Sequence, residues 1–202
     1  SITDTGTVVS GKGTFSGGFG DGEYTVHYYC EINQPAVAYG TFLDQRIMNG
    51  QDSIFIASAD TPAGVYLQFD SRTENKVMAK VGISFKSIEQ AEKWLTEEIP
   101  DWNYIAVKQQ AINLWNDRLS KIRVKSEDKE ALTIFYTCLF RSQLMPRDRT
   151  NDYAVYKDAP MWDDHYATWD TFRTVYPLNI LIYPEMVTET IQSYLTRFAA
   201  NG

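Results

Sequence analysis

The pattern of hydrophobic and polar residues changes near residue 86. Before that point, short segments rich in β-branched and aromatic residues are separated by Gly, Pro, Asn and Asp, as is typical of antiparallel β-sheets. Strands are predicted over residues 24–32, 37–42, 53–57, 65–69 and 77–85. Asn49-Gly50 has the composition of a hairpin turn. This first part of the chain is expected to belong to an all-β domain.

After residue 86, apolar residues recur at helical spacing. Ser87, with Gln90 three residues later, is a capping-box signature that predicts a helix over Ile88–Glu98. Asp101 is expected to cap a second helix that reaches Leu119. Further helices are predicted over residues 129–143, 169–181 and 184–200, and a short strand over 122–124. Strands followed by helices indicate an α+β chain or two domains.

Composition and charge narrow the choice of partners. The 202 residues carry a formal net charge of −7, which disfavours nucleic acid because phosphate contacts require a basic surface. No segment has the ~20 apolar residues needed to span a bilayer. Aromatic residues make up 14% of the chain. Most are expected to fill a core, but flat rings also line sugar-binding clefts.

Two further features carry weaker signals. Residues 11–20 are rich in glycine, but no Gly-Lys-Ser/Thr follows and no helix opens there, so phosphate binding is disfavoured. A flexible turn that exposes Phe19 is the simpler interpretation. Cys30 and Cys138 lie one in each half, and two unpaired buried thiols are favoured over a disulfide.

Candidate chemistry is densest in residues 161–173, which contain three carboxylates, a His, two Trp and an Arg. Carboxylates accept hydrogen bonds from sugar hydroxyls, Arg donates them, and aromatic rings stack on sugar faces. On a helix starting near Thr168, Asp170 and Arg173 would share one face. This combination favours carbohydrate binding.

Structural interpretations of the same segment remain open. Thr168 can act as a helix N-cap and Asp170 as a first-turn acid, and Asp170 with Arg173 can form a structural salt bridge. Asp163, Asp164 and His165 are residue types that bind divalent cations. Three adjacent residues rarely converge on one ion, however, so a loop cap or solvated turn is favoured over a metal site.

Several ordered motifs resemble glycoside hydrolase family 92, the calcium-dependent exo-α-mannosidases. Residues 168–174, Thr-Trp-Asp-Thr-Phe-Arg-Thr, followed by Tyr-Pro-Leu at 176–178, are similar to the family's WDT(Y/F)RT-x-x-P-L segment. Residues 81–91, 98–102, 115–116, 134–141 and 18–26 resemble other family segments in the same order. The resemblance covers essentially the whole chain.

The resemblance implies a fold and an activity. The fold would be α+β in two parts: the C-terminal portion of a β-sandwich in residues 1–86, linker helices in 87–127, and the first helices of an (α/α)6 barrel in 128–202. The activity would be removal of terminal α-linked mannose from mannans or N-glycans with inversion, helped by calcium. The natural protein is expected to be longer, and exported to the periplasm or the extracellular space.

The resemblance carries over few site residues. Trp169, Asp170 and Arg173 correspond to a mannose-binding subsite, and Phe19 and Gly20 to a wall of the pocket. The family's catalytic acid and base and most of its calcium ligands belong to motifs downstream, so no catalytic or metal residue is assigned here. The isolated chain is therefore expected to be inactive, with a mannose-containing glycan and the remainder of its own catalytic domain as partners. The alternatives are a non-catalytic carbohydrate-binding domain and a structural domain.

Overall fold

A computed structural model describes residues 1–3, 5–17, 22–56, 61–70, 72, 76–156 and 159–201. These residues divide into two compact units, Ser1–Asn103 and Tyr104–Gly202. The first unit contains the long strands and one helix, and the second contains five helices and a two-stranded ribbon among its described residues. The predicted order, strands first and helices second, is confirmed.

The described residues of the first unit form two antiparallel three-stranded sheets. The first sheet has the order β1-β2-β6 and the second the order β4-β3-β5. The strands are β1 (Val8–Ser16), β2 (Glu23–Ile32), β3 (Ala38–Leu43), β4 (Arg46–Asn49), β5 (Ala63–Gln68) and β6 (Ala79–Ser84). Four of the five predicted strands correspond to β2, β3, β5 and β6. The predicted strand at 53–57 is wrong, because residues 53–56 form no strand and residue 57 lies outside the described part.

The glycine-rich segment is largely a strand, so the predicted flexible turn is wrong for residues 11–16. Gly11 and Gly13 lie within β1 and pair with Tyr28 and Val26 of β2. A Cβ atom on Gly11 would lie 2.7 Å from the Tyr28 hydroxyl, so the ring of Tyr28 crosses the strand where the side chain is missing. The glycines therefore serve packing within the sheet. Phe19 and Gly20 lie outside the described residues.

The β3–β4 hairpin turns at Asp44 and Gln45, where Leu43 pairs with Arg46. Asp44 has φ 53°, a left-handed conformation that Asp tolerates in tight turns. The Asn49-Gly50 hairpin prediction is wrong. Asn49 is the last residue of β4, and Gly50 leaves the strand with φ 72°.

Helix α1 (Ile88–Glu98) has the predicted bounds and packs on the first sheet. The Ser87 hydroxyl accepts a hydrogen bond from the Gln90 amide at 3.1 Å, as the capping box predicts. Ala91 and Leu95 are buried against the sheet. A Cβ atom on Gly82 would lie 2.2 Å from the Ala91 carbonyl oxygen, so this glycine allows the helix to lie directly on β6.

The second unit begins with α2 (Tyr104–Leu119) and α3 (Lys129–Ser142). Asp101 does not cap α2, because its carboxylate instead accepts the Asn103 amide, ahead of the helix. Residues 122–124 form no strand. The ribbon β7 (Arg147–Asp148) and β8 (Trp162–Asp163) follows, and then α4 (Thr168–Thr171), α5 (Val175–Ile182) and α6 (Pro184–Asn201).

The single helix predicted over residues 169–181 is two helices, α4 and α5. Pro177 explains the interruption. Proline has no amide hydrogen to donate within a helix, and it is tolerated only in the first turn. Because α5 begins at Val175, Pro177 falls in that first turn.

Cys30 and Cys138 are free thiols, as predicted. Neither is buried, which corrects the second part of the expectation: Cys30 is half-buried and Cys138 is exposed. Cys138 lines an apolar pocket of about 280 Å³ together with Phe135 and Leu178. None of the helices in the described part of the chain has the length and apolar character that crossing a membrane would require.

Candidate functional site

The candidate segment, residues 161–173, starts from the β7–β8 ribbon. Arg147 pairs with Asp163, and Asp148 pairs with Trp162. Just before β8, the fully buried Met161 donates its amide to the Thr150 hydroxyl at 3.0 Å. The ribbon therefore fixes the chain at the entry to the segment.

Helix α6 forms two hydrogen bonds with Trp162, the first residue of β8. The Trp162 backbone amide donates to the Ser193 hydroxyl at 2.7 Å, and its indole NH donates to Glu189 at 2.9 Å. Ser193 is completely buried. Glu189, Ser193 and Arg197 are spaced four residues apart, so they lie on one face of α6. That face is directed at the candidate segment.

Arg197 forms an ion pair with Asp163 at 3.0 Å, and the Tyr153 hydroxyl donates a short hydrogen bond to the same carboxylate. Burial alone would raise the pKa of Asp163. The hydrogen bonds from Arg197 and Tyr153 outweigh that effect, so the pKa lies below its ordinary value. Burial, followed by the bond to Asp163, raises the pKa of Tyr153. The carboxylate is therefore ionised and fully engaged at neutral pH.

Asp164 is held by two cations from the other side of the ribbon. Arg149 lies 2.9 Å from its carboxylate and Arg147 lies 3.9 Å away. Asp164 has φ 55°, so the chain turns sharply immediately after β8. The loop-cap interpretation of this acidic pair agrees with these contacts.

The ring of His165 is enclosed by three groups. Its Nε2 lies 3.0 Å from the Trp162 carbonyl oxygen, and its Nδ1 lies 3.4 Å from the Tyr176 hydroxyl. It stacks on Tyr194 with ring centroids 4.7 Å apart. Burial lowers the pKa of His165. A neutral imidazole fits these contacts, with Nε2–H donating to the carbonyl and Nδ1 accepting from the tyrosine.

The second half of the segment differs, because its functional side chains point to solvent. Trp169 is 77% exposed, and Asp170 and Arg173 are also exposed. Thr171 anchors the short helix α4: it is buried, and its hydroxyl donates to the Ala167 carbonyl oxygen at 3.1 Å. An exposed ring and carboxylate thus stand on a fixed backbone.

Asp170 lies in the first turn of α4, as the structural interpretation predicts. The other two structural interpretations of this half are wrong. Ala167 occupies the N-cap position of α4, so Thr168 does not cap the helix. Arg173 lies beyond the end of α4, and within the described residues no ion pair joins it to Asp170. The Arg173 guanidinium lies 5.2 Å from the Phe172 ring centroid instead. Asp170 and Arg173 remain available for contacts with a ligand.

The described residues contain no group of three or more His, Cys, Asp or Glu side chains that could hold a metal ion. Asp163, Asp164 and His165 are directed at Arg197, Arg149 and the Trp162 carbonyl, respectively. These three residues therefore do not fit a calcium site.

Sequence reasoning found the segment but missed the residues that hold it. The missed residues are Arg149, Tyr153, Tyr176, Glu189, Ser193, Tyr194 and Arg197. The spacing of Glu189, Ser193 and Arg197 on one helix face was a detectable signal. Tyr176 stands in the Tyr-Pro-Leu run at 176–178, whereas Arg149, Tyr153 and Tyr194 belong to no motif. No local pattern links any of the four to residues 161–165.

An exposed aromatic ring beside an exposed carboxylate and guanidinium suits the binding of a polyhydroxylated ligand. Comparison with known protein families agrees with a protein that acts on carbohydrate. The glycosyl hydrolase family 92 N-terminal domain matches residues 1–84, and the family 92 catalytic domain matches residues 90–202. The chain belongs to glycosyl hydrolase family 92.

Individual proteins are similar to this chain in sequence, in fold or in both. A protein named as a secreted glycosidase of Arthroderma benhamiae is 28% identical over 177 residues, covering 82% of this chain and 23% of that protein. The family GH92 inverting mannosidase BT2199 of Bacteroides thetaiotaomicron superimposes with a TM-score of 0.78 and 27% identity, over 93% of this chain and 26% of that one.

The α-mannosidase BT3965 of the same bacterium has the same fold, with a TM-score of 0.77 at 18% identity over 98% of this chain and 28% of that one. The chain thus spans about a quarter of the length of the relatives it matches. The expectation of a longer natural protein agrees with this coverage. The (α/α)6 barrel and the division into residues 1–86, 87–127 and 128–202 stay predictions.

Proposed function

We propose that this chain is part of an exo-α-mannosidase that removes terminal α-linked mannose from mannans or N-glycans with inversion at the anomeric carbon. Family membership supports glycosidase chemistry. The mannosidase activity and the stereochemistry are suggested by a relative described as an inverting mannosidase. Export to the periplasm or the extracellular space is part of the proposal, because another relative is named as secreted.

In this proposal, Trp169, Asp170 and Arg173 form one side of the mannose-binding subsite. The observation that carries it is the contrast within one segment: the side chains of residues 161–165 are engaged by the protein, whereas Trp169 and Asp170 are directed outward. The Trp169 ring would stack on the sugar, and the Asp170 carboxylate would accept two hydroxyl hydrogen bonds. Arg173 would donate to a hydroxyl or ring oxygen.

The catalytic acid and base would come from the part of the longer protein that follows this chain. An inverting glycosidase needs one carboxylic acid to protonate the leaving oxygen and one carboxylate to activate water on the opposite face. No residue of this chain is assigned to either step. The isolated 202-residue chain should therefore release no mannose, and activity that copurifies with that species would contradict the proposal. Calcium is part of the proposal for the longer protein only.

The test is Asp170→Asn in the full-length protein. Loss of charge-assisted hydrogen bonds to the sugar should reduce kcat/KM for an aryl α-mannoside about 100-fold. The melting temperature should change little, because the carboxylate is exposed and forms no ion pair with the described residues, and its place in the first turn of α4 contributes at most about 1 kcal/mol. Asp117→Asn on α2 is the matched control, since it removes an equally exposed carboxylate from the same unit. Equal activity of both variants would exclude the subsite role, and a markedly lower melting temperature for Asp170→Asn would indicate a structural role.

A further inference from the structure

The β4-β3-β5 sheet has two faces of different character. Thr41 is fully buried on one face. The opposite face, called here the Gly40 face, carries the residues in phase with Gly40 and their cross-strand neighbours. These are Ala38, Gly40, Phe42, Ile47, Asn49, Gly64, Tyr66 and Gln68. Ile47 is 65% exposed, so solvent reaches this face.

Two aromatic rings lie flat on the Gly40 face. A Cβ atom on Gly40 would lie 2.7 Å from both Cε1 and the hydroxyl oxygen of Tyr66, so the Tyr66 ring crosses β3 at that glycine. In return, the Phe42 ring crosses β5 at Gly64, where a Cβ atom would lie 2.8 Å from the ring. Each strand therefore supplies a ring and a glycine to the other. Both rings therefore occupy the space above a glycine of the neighbouring strand on this face.

Amide side chains border the Tyr66 ring. The Tyr66 hydroxyl donates to Asn49 Oδ1 at 2.5 Å, which orients the Asn49 amide so that its NH2 group remains free to donate. Gln68 is exposed, and its side-chain amide makes no hydrogen bond with the described residues. The groove between these side chains has a volume of about 470 Å³ and is also lined by Val37, Tyr39 and Gly50.

None of the described residues that line the groove is charged. Its lining residues are Ala36, Val37, Ala38, Tyr39, Asn49, Gly50, Tyr66 and Gln68, all uncharged, in a chain whose net charge is −7. Anionic and cationic partners therefore find no complementary group here. A neutral polyhydroxylated ring does, because its apolar face fits a flat aromatic ring and its hydroxyls pair with amides. The volume lies within the usual range of small-ligand sites, about 300–1,000 Å³.

We propose that the Gly40 face is a second carbohydrate-binding site, in which the Tyr66 ring stacks on a neutral sugar unit and Asn49 and Gln68 bind its hydroxyls. It belongs to the first unit, whereas Asp170 belongs to the second, and it does not depend on the chemistry proposed for Asp170. Its occupant is a sugar unit of a neutral glycan chain. The site would raise the concentration of polysaccharide near the enzyme.

A packing role alone does not account for these residues. Tyr28 crosses Gly11 in the first sheet in the same way, and this ring only fills the space above a glycine. Its neighbours on that face are apolar: Cys30, Val81 and Ile83. Around Tyr66 the neighbours are amides instead. Filling the space above Gly40 explains the position of the ring, and the hydrogen bond from the Tyr66 hydroxyl explains Asn49, but neither explains the exposed amide of Gln68.

The experiment measures retention of the full-length protein in native gels containing a soluble α-mannan, with gels lacking polysaccharide as reference. Tyr66→Ala should weaken retention about tenfold, since it removes the stacking surface. Gln68→Ala and Asn49→Ala should weaken it about threefold each. Tyr104→Ala, which removes an exposed tyrosine from α2, should have no effect. Hydrolysis of an aryl α-mannoside should be unchanged in all four variants.

Retention must also persist in Asp170→Asn, because that substitution alters only the other subsite. Loss of retention in Asp170→Asn, or wild-type retention in Gln68→Ala and Asn49→Ala, would overturn the proposal. The two amide variants keep the test valid if Tyr66→Ala does not fold, since both side chains are exposed. A wild-type protein that binds mannan but hydrolyses no mannoside would contradict the proposed function while supporting this second site.

Discussion

Asp163 and Asp170 are only seven residues apart, but their surroundings differ: the first carboxylate is half-buried and paired, and the second is exposed. Asp163 is paired with Arg197 and receives the Tyr153 hydroxyl. Asp170 is exposed, and no side chain in the described part of the molecule forms an ion pair with it. The first carboxylate is held by its neighbours in the fold, and the second, which has no ion-pair partner among the described residues, is the one that we propose for the ligand subsite. A motif rich in acidic residues can contain both roles, and only the surrounding contacts separate them.

The largest effect on stability should come from removing the Arg197–Asp163 ion pair. Arg197→Met leaves Asp163 partly buried without its cation, which should cost about 3 kcal/mol of unfolding free energy. Urea unfolding of the wild type and the variant measures this difference in unfolding free energy. Arg173→Met is the control, because that guanidinium is exposed and has no carboxylate partner among the described residues. Similar losses in both variants would mean that the two halves of the segment do not differ.

Asp163→Asn should cost about 2 kcal/mol at neutral pH, because it removes a charge-assisted hydrogen bond. The pKa of Asp163 is lower in the folded state than in the unfolded state. Its contribution is therefore complete above the unfolded pKa, about 3.9, and is lost as the pH falls through the folded pKa. The stability difference between wild type and variant should be constant above about pH 5 and shrink below pH 4. Asp170→Asn should give no such pH-dependent difference.

Trp162→Phe should have a smaller effect, about 1 kcal/mol, because it removes the indole hydrogen bond to Glu189 and keeps most of the ring. Trp169→Phe is the matched control, since this indole is exposed and should not change the unfolding free energy. Thermal unfolding of the two variants in parallel makes the comparison. A larger loss for Trp169→Phe would assign that residue a packing role.

The smallest effect concerns His165, whose pKa is lowered by burial. The unfolded chain therefore takes up this proton first as the pH falls below about 6.5. Stability should decline from that pH down to the folded pKa of His165 and then level off. His165→Gln should remove this decline. It should not change the loss of stability at lower pH that comes from protonation of Asp163. An unchanged profile in the variant would mean that the imidazole is not held neutral.

Local signals predicted the fold well where the stabilising contacts are local. Ser87 and Gln90 define the start of α1 because both partners lie within one helical turn. Gly11 misled the prediction, because its role depends on Tyr28 of the neighbouring strand. The segment at residues 122–124 has a strand-like composition, but it pairs with no strand among the described residues. Pro177 was available in the sequence as the reason to divide the helix over 169–181.

In the candidate site, too, the residues in a local motif could be predicted, whereas those that depend on contacts between distant residues could not. The exposed residues Trp169 and Asp170 stand in a recognisable motif, so sequence alone found them. Arg197 and Tyr153 reach Asp163 from distant parts of the second unit, and no local pattern links them to it. Phe19 and Gly20 lie outside the described residues, so their assignment to the pocket wall stays a prediction.

The two free cysteines give the protein unequal chemical reactivity. Only thiolates react with alkylating reagents. Burial, followed by the nearby Glu31 charge, raises the pKa of Cys30 and reduces its thiolate fraction at neutral pH. Cys138 is exposed on α3. A maleimide dye used in limited amount should therefore mark Cys138 first, giving a fluorescent reporter on the second unit without any engineered residue.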